Sequence, residues 1–322
     1  MSRRSFLLRA GALALAAPAA RLAQAQDFPA RPVTLVVPYA VGGNADLTAR
    51  LFADALGKTI GQSVVVYNKA GGGGAIGAMH VIGSRPDGHT LIFCAPSVFS
   101  VTPHLVKVSY GPASIRPVCL VSSTPLVLVV RKGSRFRSLD DLVGAARAGA
   151  GAVAMGYSGL GTPNHLGMLG LEAVGQVSFN GIAYKGSGPM LQDLLAGQIE
   201  AGADQFTTSK PYIESGDLVA LAVFGPPLDT LPGVPSVSSL APEPFDVTTY
   251  LGIAAPAETP DAVVAALQKA AAAALEDARF QGGMARMGAQ VHWGTSQDYA
   301  RTLRSEDEVM ARMIASGRIQ PG

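Results

Sequence analysis

The chain holds 322 residues, 48% hydrophobic and 15% charged, with 38 glycines and 22 prolines, a globular composition long enough for two buried cores. Its formal charge of +2 turns slightly negative without residues 1–25, which carry Arg3, Arg4, Arg9 and Arg21 and no acid. A near-neutral chain without a basic run argues against nucleic acid as a partner.

Residues 1–25 read as a signal peptide. Arg3 and Arg4 precede an apolar stretch from Ala10 to Ala20, and Ala23 to Ala25 supplies the small-residue cleavage pattern. The paired arginines fit a twin-arginine signal, with an ordinary secretion signal as the alternative. Either route leads out of the cytoplasm. No later stretch has the ~20 apolar residues of a membrane span. Two cysteines, Cys94 and Cys119, form no CxxC pair, which excludes a thiolate zinc site; buried free thiols or a Cys94–Cys119 disulfide both remain open.

The mature chain begins with a strand, Val33 to Val37, then the turn Pro38 to Asp46 and an amphipathic helix burying Leu47, Leu51, Phe52, Ala55 and Leu56. In such a unit the turn lies where open α/β sheets place ligands. The helix start offers unpaired N–H groups and a positive dipole end. Gly42 and Gly43 are the expected anion donors; Asn44 or Asp46 caps the helix. Ser63 to Tyr67 is a second strand, followed by Gly72-x-Gly74-x-x-Gly77. That spells the dinucleotide fingerprint, but Ser97 stands near the place where an acid is required, so a tight backbone-exposing loop is the better reading and no cofactor is expected. Thr90 to Cys94 is a third strand whose exit loop carries Ser97, a hydroxyl donor if it faces the first loop.

Apolar runs at Val118–Val121 and Leu126–Val130 follow. Ala152 to Met155 is a strand, and Gly156 to Pro163 turns into a helix with Thr162 as cap and Pro163 at the first position. Leu160 spoils a nucleophile elbow around Ser158. Val177 to Ala183 leads through Tyr184 to Gly188 into a helix starting at Met190 after Pro189. Asp204 ends the next strand, either as a ligand contact or as a brace for a neighbouring loop. Thr248 to Ala254 reads as a returning strand, Thr259 and Pro260 open an alanine-rich helix, and Thr295 to Asp298 has capping-box form before a helix that Gly317 ends. His165 lies one residue into its helix, as a packing residue or a ligand contact. The five histidines show no metal-ligand spacing. Crossings near Leu126 and Thr248 divide the chain into lobe 1 (26–126 and 249–322) and lobe 2 (127–248) facing a cleft.

In order and spacing the chain resembles the Bug-type solute-binding proteins of tripartite tricarboxylate transporters. The matching residues are Phe28-Pro-x-Arg-Pro-Val33, Pro38-Tyr-x-x-Gly-Gly-x-x-Asp46, Gly71 to Gly77, Pro86-Asp-Gly, His165-Leu166, Tyr184-Lys-Gly-x-x-Pro189 and Ala255-Pro-Ala. Departures are Lys69-Ala70 before the Gly71 loop, and Trp293 lying before the last helix rather than beyond Glu306. The resemblance implies an α/β, two-lobed type II periplasmic-binding-protein fold and a periplasmic, monomeric, non-enzymatic protein. Its expected partners are a small carboxylic acid and a membrane transporter or, alternatively, a sensor domain. An exported or nucleotide-dependent enzyme is the remaining alternative. Carried onto this chain, the family's contacts fall on Tyr39, Gly42, Gly43 and Ser97 in lobe 1 and on Ser158, Thr162, His165, Tyr184, Gly186 and Asp204 in lobe 2.

Overall fold

Strand β1 (Val33–Val37) runs parallel to β2 (Val64–Asn68) and β3 (Thr90–Cys94), with α1 (Asn44–Ile60) and α2 (Ala75–Ile82) as crossovers. The computed structural model describes residues 28–240 and 246–315, so the leader reading for residues 1–25 and the stop at Gly317 lie outside the described residues. Two short helices, α3 (Ser97–Ser100) and α4 (Thr102–Leu105), lead to β4 (Ile115–Arg131). The 17-residue β4 merges what the apolar pattern splits into two runs. Ser122, Ser123 and Thr124 still pair with β9 (Thr248–Pro256), because ladder hydrogen bonds use the backbone whatever the side chain.

Strand β4 belongs to two sheets. Its first part, through Pro125, lies between β9 and β10 (Gln290–Gly294), completing the order β2-β1-β3-β9-β4-β10. From Leu126 it pairs instead with β7 (Ala201–Gln205) and β8 (Leu218–Val223), and β5 (Ala154–Tyr157) and β6 (Asn180–Ala183) extend that second sheet beyond β7. The second sheet carries α5 (Leu139–Arg147), α6 (Pro163–Gly175), α7 (Ser187–Ala196) and α8 (Phe206–Glu214). After β9 the chain adds α9 (Asp261–Leu275), α10 (Ala278–Met287) and α11 (Ser296–Ala315) to the first. The molecule is therefore two α/β lobes joined through β4 and β9.

Alternation along β4 divides the second lobe's core. Leu126, Leu128 and Val130 face one apolar cluster with Phe224, while Val127 and Val129 face another with Met190 and Leu194, as the two-residue period of a strand requires. The first lobe's main core surrounds Leu35, Phe52, Phe93 and Phe280, and a smaller cluster of Val101, Leu105 and Met310 packs against Leu166 of α6. Burying each such side chain stabilises by roughly 1.5–3 kcal/mol.

Several helix starts differ from expectation. Gly43, not Asn44 or Asp46, is the N-cap of α1, and Asp46 instead turns its carboxylate back onto the Gly42 N–H at 2.9 Å. Helix α7 starts at Ser187, putting Pro189 third, and Pro260 rather than Thr259 caps α9 while the Thr259 hydroxyl donates to the Pro256 carbonyl. The Thr295–Asp298 capping box is present, with reciprocal bonds of 2.9 and 3.2 Å. Cys94 and Cys119 are buried and free, and burial pushes both thiols far up. Among the described residues no helix is long and apolar enough to cross a membrane.

Candidate functional site

Four helices begin at the seam between the lobes: α1 after β1, α6 after β5, α7 after β6 and α8 after β7. Each follows the carboxyl end of a strand, where the first N–H groups of a helix have no internal partner. Gly43, Asn44 and Ala45 of the first start, Thr162, Pro163 and Asn164 of the second, Gly186 and Ser187 of the third, and Gln205 of the fourth line one cavity between the sheets. Each long helix places about half a positive charge at that end.

The lobes are drawn together here. The cavity measures about 20 Å³, the size that holds a single water. Across the seam, the Ala40 N–H donates to the Lys185 carbonyl at 2.9 Å, and the Thr207 hydroxyl donates to Asn44 Oδ1 at 2.9 Å. Gly186 sits against Ala40, and Gly73 against the Leu160 carbonyl. A solute larger than water enters only if these walls part or shift.

Three of the residues that line the cavity carry a buried polar group with no partner among the described residues: the Tyr39 hydroxyl, Asn44 Nδ2 and the Thr249 hydroxyl. Leaving such groups unpaired costs about 1–3 kcal/mol apiece, which a hydrogen-bonding solute would recover. Burial holds the Tyr39 hydroxyl well above its ordinary pKa, with Cys94, Tyr110 and Glu306 adding to the shift, so it stays protonated and can donate. On the second lobe, Ser187 Oγ donates to Gln205 Oε1 at 2.9 Å, Gln205 Nε2 to Asn164 Oδ1 at 2.5 Å, and Asn164 Nδ2 to the Ala203 carbonyl at 2.8 Å. This chain of amides fixes the floor. Among the described residues no side chain lining the cavity carries a formal charge, so an anion would be held by dipoles and neutral donors.

Of the ten residues carried over from the resemblance, Tyr39, Gly43, Ser158, Thr162 and Gly186 line the cavity. The other five do not, and four of them have a local occupation. The Gly42 N–H is taken by Asp46; burial works to raise that carboxyl, but bonds from Arg50, Gly42 and Asn68 outweigh it and hold it below the ordinary value. Ser97 is fully buried in α3 with its hydroxyl unpartnered. His165 Nδ1 accepts the Gly161 N–H at 3.2 Å while its ring stacks on Tyr157 at 4.5 Å; burial pushes its pKa down to about 4, so it is neutral. The Tyr184 hydroxyl donates to Asp193 at 2.8 Å. Asp204 Oδ2 accepts from Thr208 at 2.6 Å and Ser209 at 2.7 Å, bracing the start of α8, and burial raises its pKa against those bonds.

Asn44, Asn164, Ser187, Gln205 and Thr249 line the cavity without having been anticipated. Four of them had a signal: Asn44, Asn164 and Ser187 occupy the first two positions of helices that follow glycine turns, and Gln205 ends a strand. Thr249 had none, because only the return of β9 brings it here.

The family described as the tripartite tricarboxylate transporter family receptor matches residues 48–317. A protein of Pseudomonas sp. strain P51, named for the tcbD-tcbE intergenic region, is 34% identical over 313 residues, covering 96% of this chain and 93% of that protein. The structure of the periplasmic binding protein BugD superposes with a TM-score of 0.84 at 32% identity, over 90% of this chain and 98% of that one. MatC from Rhodopseudomonas palustris, solved with bound malate, superposes with a TM-score of 0.84 at 29% identity, over 89% of this chain and 100% of that one.

Proposed function

Because the chain belongs to the tripartite tricarboxylate transporter receptor family, a family of solute-binding proteins, we propose that it captures a small carboxylate between its lobes in the periplasm and presents it to a membrane transporter. The observation that carries this reading is the convergence of four helix N-termini on a cavity lined by the unpartnered Tyr39 hydroxyl and Asn44 Nδ2. A carboxylate accepts several hydrogen bonds, and the site offers donors without offering a cation. The malate bound to MatC is of the same chemical class.

In this reading Tyr39, Gly43 and Asn44 grip the carboxylate from lobe 1, and Ser158, Thr162, Gly186 and Ser187 meet it from lobe 2. Closure removes water, lowers the local dielectric and strengthens each charge-assisted bond. The Thr207–Asn44 and Ala40–Lys185 bonds form only across the closed seam, so they add to the closed state without touching the solute. Open and closed forms that differ by a few kcal/mol are within reach of one ligand's binding energy.

The test is a thermal-shift panel of mono-, di- and tricarboxylic acids on the mature protein, followed by calorimetry on the best. We expect one or a few acids to raise the melting temperature and to bind with a stoichiometry of one. If amines, sugars or neutral solutes stabilise the protein and no acid does, the carboxylate assignment is wrong.

A further inference from the structure

On another face a second concavity, about 620 Å³, opens between α6 of lobe 2 and α11 of lobe 1. Leu166 and Gly170 of α6 form one wall, Val309, Met310 and Met313 of α11 the other, with Tyr250 of β9 also lining it. Pro163 lines both this groove and the solute cavity, at the start of the same helix. The size is that of an ordinary small-molecule site.

Of the groove's two lining acids among the described residues, Asp246 and Glu306, Glu306 lies on α11 beside the apolar wall. It accepts from the Ser100 hydroxyl at 2.5 Å, and among the described residues no basic side chain pairs with it. Burial pushes its pKa up to about 7 in spite of the Ser100 bond. Among the described lining residues the one basic side chain, Arg301, is paired with Asp298 at 3.2 Å. The other described ionisable groups nearby are engaged elsewhere. Asp246, a second lining acid, accepts from Thr248; His104 is bonded to Asp307 at 2.7 Å; and His292 packs on Tyr250. Behind Glu306, Tyr39, Tyr299 and the Cys94 thiol are all held protonated by burial.

We propose that this groove is a second binding site, for an organic monoammonium ion with an apolar body, its cation on Glu306 and its body between α6 and α11. A half-buried carboxylate without a counter-ion is an unfavourable charge, and a cation brought beside it recovers that cost. An anion meets Glu306 and Asp246 with like charge. A neutral molecule leaves Glu306 uncompensated. Tyr250 and the two methionines offer the aromatic and polarisable surface on which ammonium groups and their stems pack well. The site is thus opposite in charge preference to the solute cavity, and it stands whether or not that cavity takes a carboxylate.

The experiment is calorimetric titration of the mature protein at about pH 8, where Glu306 is ionised and an alkylamine is still protonated. Three probes share one body: 2-phenylethylammonium, 2-phenylethanol and 3-phenylpropionate. Only the ammonium probe should bind at the groove, as checked by amide shifts on α6 and α11. Glu306→Gln keeps the Ser100 contact and should weaken the ammonium probe by about tenfold or more. Val309→Lys, at a position 43% exposed and one turn beyond Glu306, supplies an internal ammonium and should abolish probe binding without unfolding the protein. The proposal is overturned if wild type shows no saturable binding of the ammonium probe, if 2-phenylethanol binds as well, or if both variants bind like wild type.

Discussion

Gly73 is where closure can be blocked without touching a solute contact. It sits in the turn before α2 with φ +62°, and a Cβ built there lies 2.0 Å from the Leu160 carbonyl oxygen of the other lobe. Ordinary contact begins near 3.4 Å, so in Gly73→Ala the two backbones must separate by more than an ångström. Neither atom belongs to a side chain that can swing away. The left-handed backbone costs alanine about 1–2 kcal/mol in open and closed forms alike, and overpacking adds about 1–3 kcal/mol in the closed form alone. Gly61→Ala is the control: it has φ +67° and nothing within 4 Å, so it carries the strain without the collision. Both variants should lose similar stability to urea. Only Gly73→Ala should bind the best carboxylate of the panel about tenfold to a hundredfold more weakly, with a smaller ligand-induced contraction in solution scattering. Wild-type affinity and wild-type contraction in Gly73→Ala would refute the closed seam described above.

Two further outcomes concern buried carboxyls. Asp46→Asn should destabilise the protein by about 2 kcal/mol in urea melts at neutral pH, because the carboxylate, 1% exposed, binds Gly42, Asn68 and Arg50 at once. Its depressed pKa makes the Asp46 contribution complete above the ordinary carboxylate value and lost as pH falls through the folded one, so wild type and variant should converge in acid. Glu306 has the opposite sign. Raised from 4.5 to about 7, it binds an extra proton in the folded state between those values, so its contribution is full below the lower and declines as pH rises to the upper. Glu306→Gln should remove up to about 3 kcal/mol of that decline, read as a steeper rise in stability between about pH 5 and pH 8 than wild type shows. A parallel shift of the whole profile would show that the Glu306 carboxyl does not titrate in that range.

Much of the fold was legible because it rests on local patterns. The β-branched runs at Val33, Thr90 and Leu126, each bounded by turns, mark strands, and the periodic apolar face of Leu47 to Leu56 marks a helix. The crossings near Leu126 and Thr248 pointed to two lobes facing a cleft, and the resemblance added the solute-binding role. What escaped was set by pairing over long separations. The polar link Ser122 to Thr124 gives no strand signal, yet β9 pairs with it from more than a hundred residues away. Helix α10 and strand β10, with Trp293 half exposed upon it, were not anticipated because their burial pattern is mixed.

For the first loop, Pro38 to Asp46, the sequence alone determined a strand, a glycine turn and a helix start, and hence free N–H groups at a sheet's carboxyl edge. These follow from steric limits on φ and ψ and from helix hydrogen bonding, which act within a few residues. Which donors face the cavity was decided only by the tertiary structure. Asp46 folds back to occupy Gly42, Asn68 braces the Tyr39 carbonyl, and the other lobe brings Thr207 onto Asn44. A buried polar group must find a partner, and the nearest one in space can lie anywhere in the chain. So Tyr39, Gly43 and Asn44 are left toward the cavity, while Gly42 is spent on holding the loop in shape.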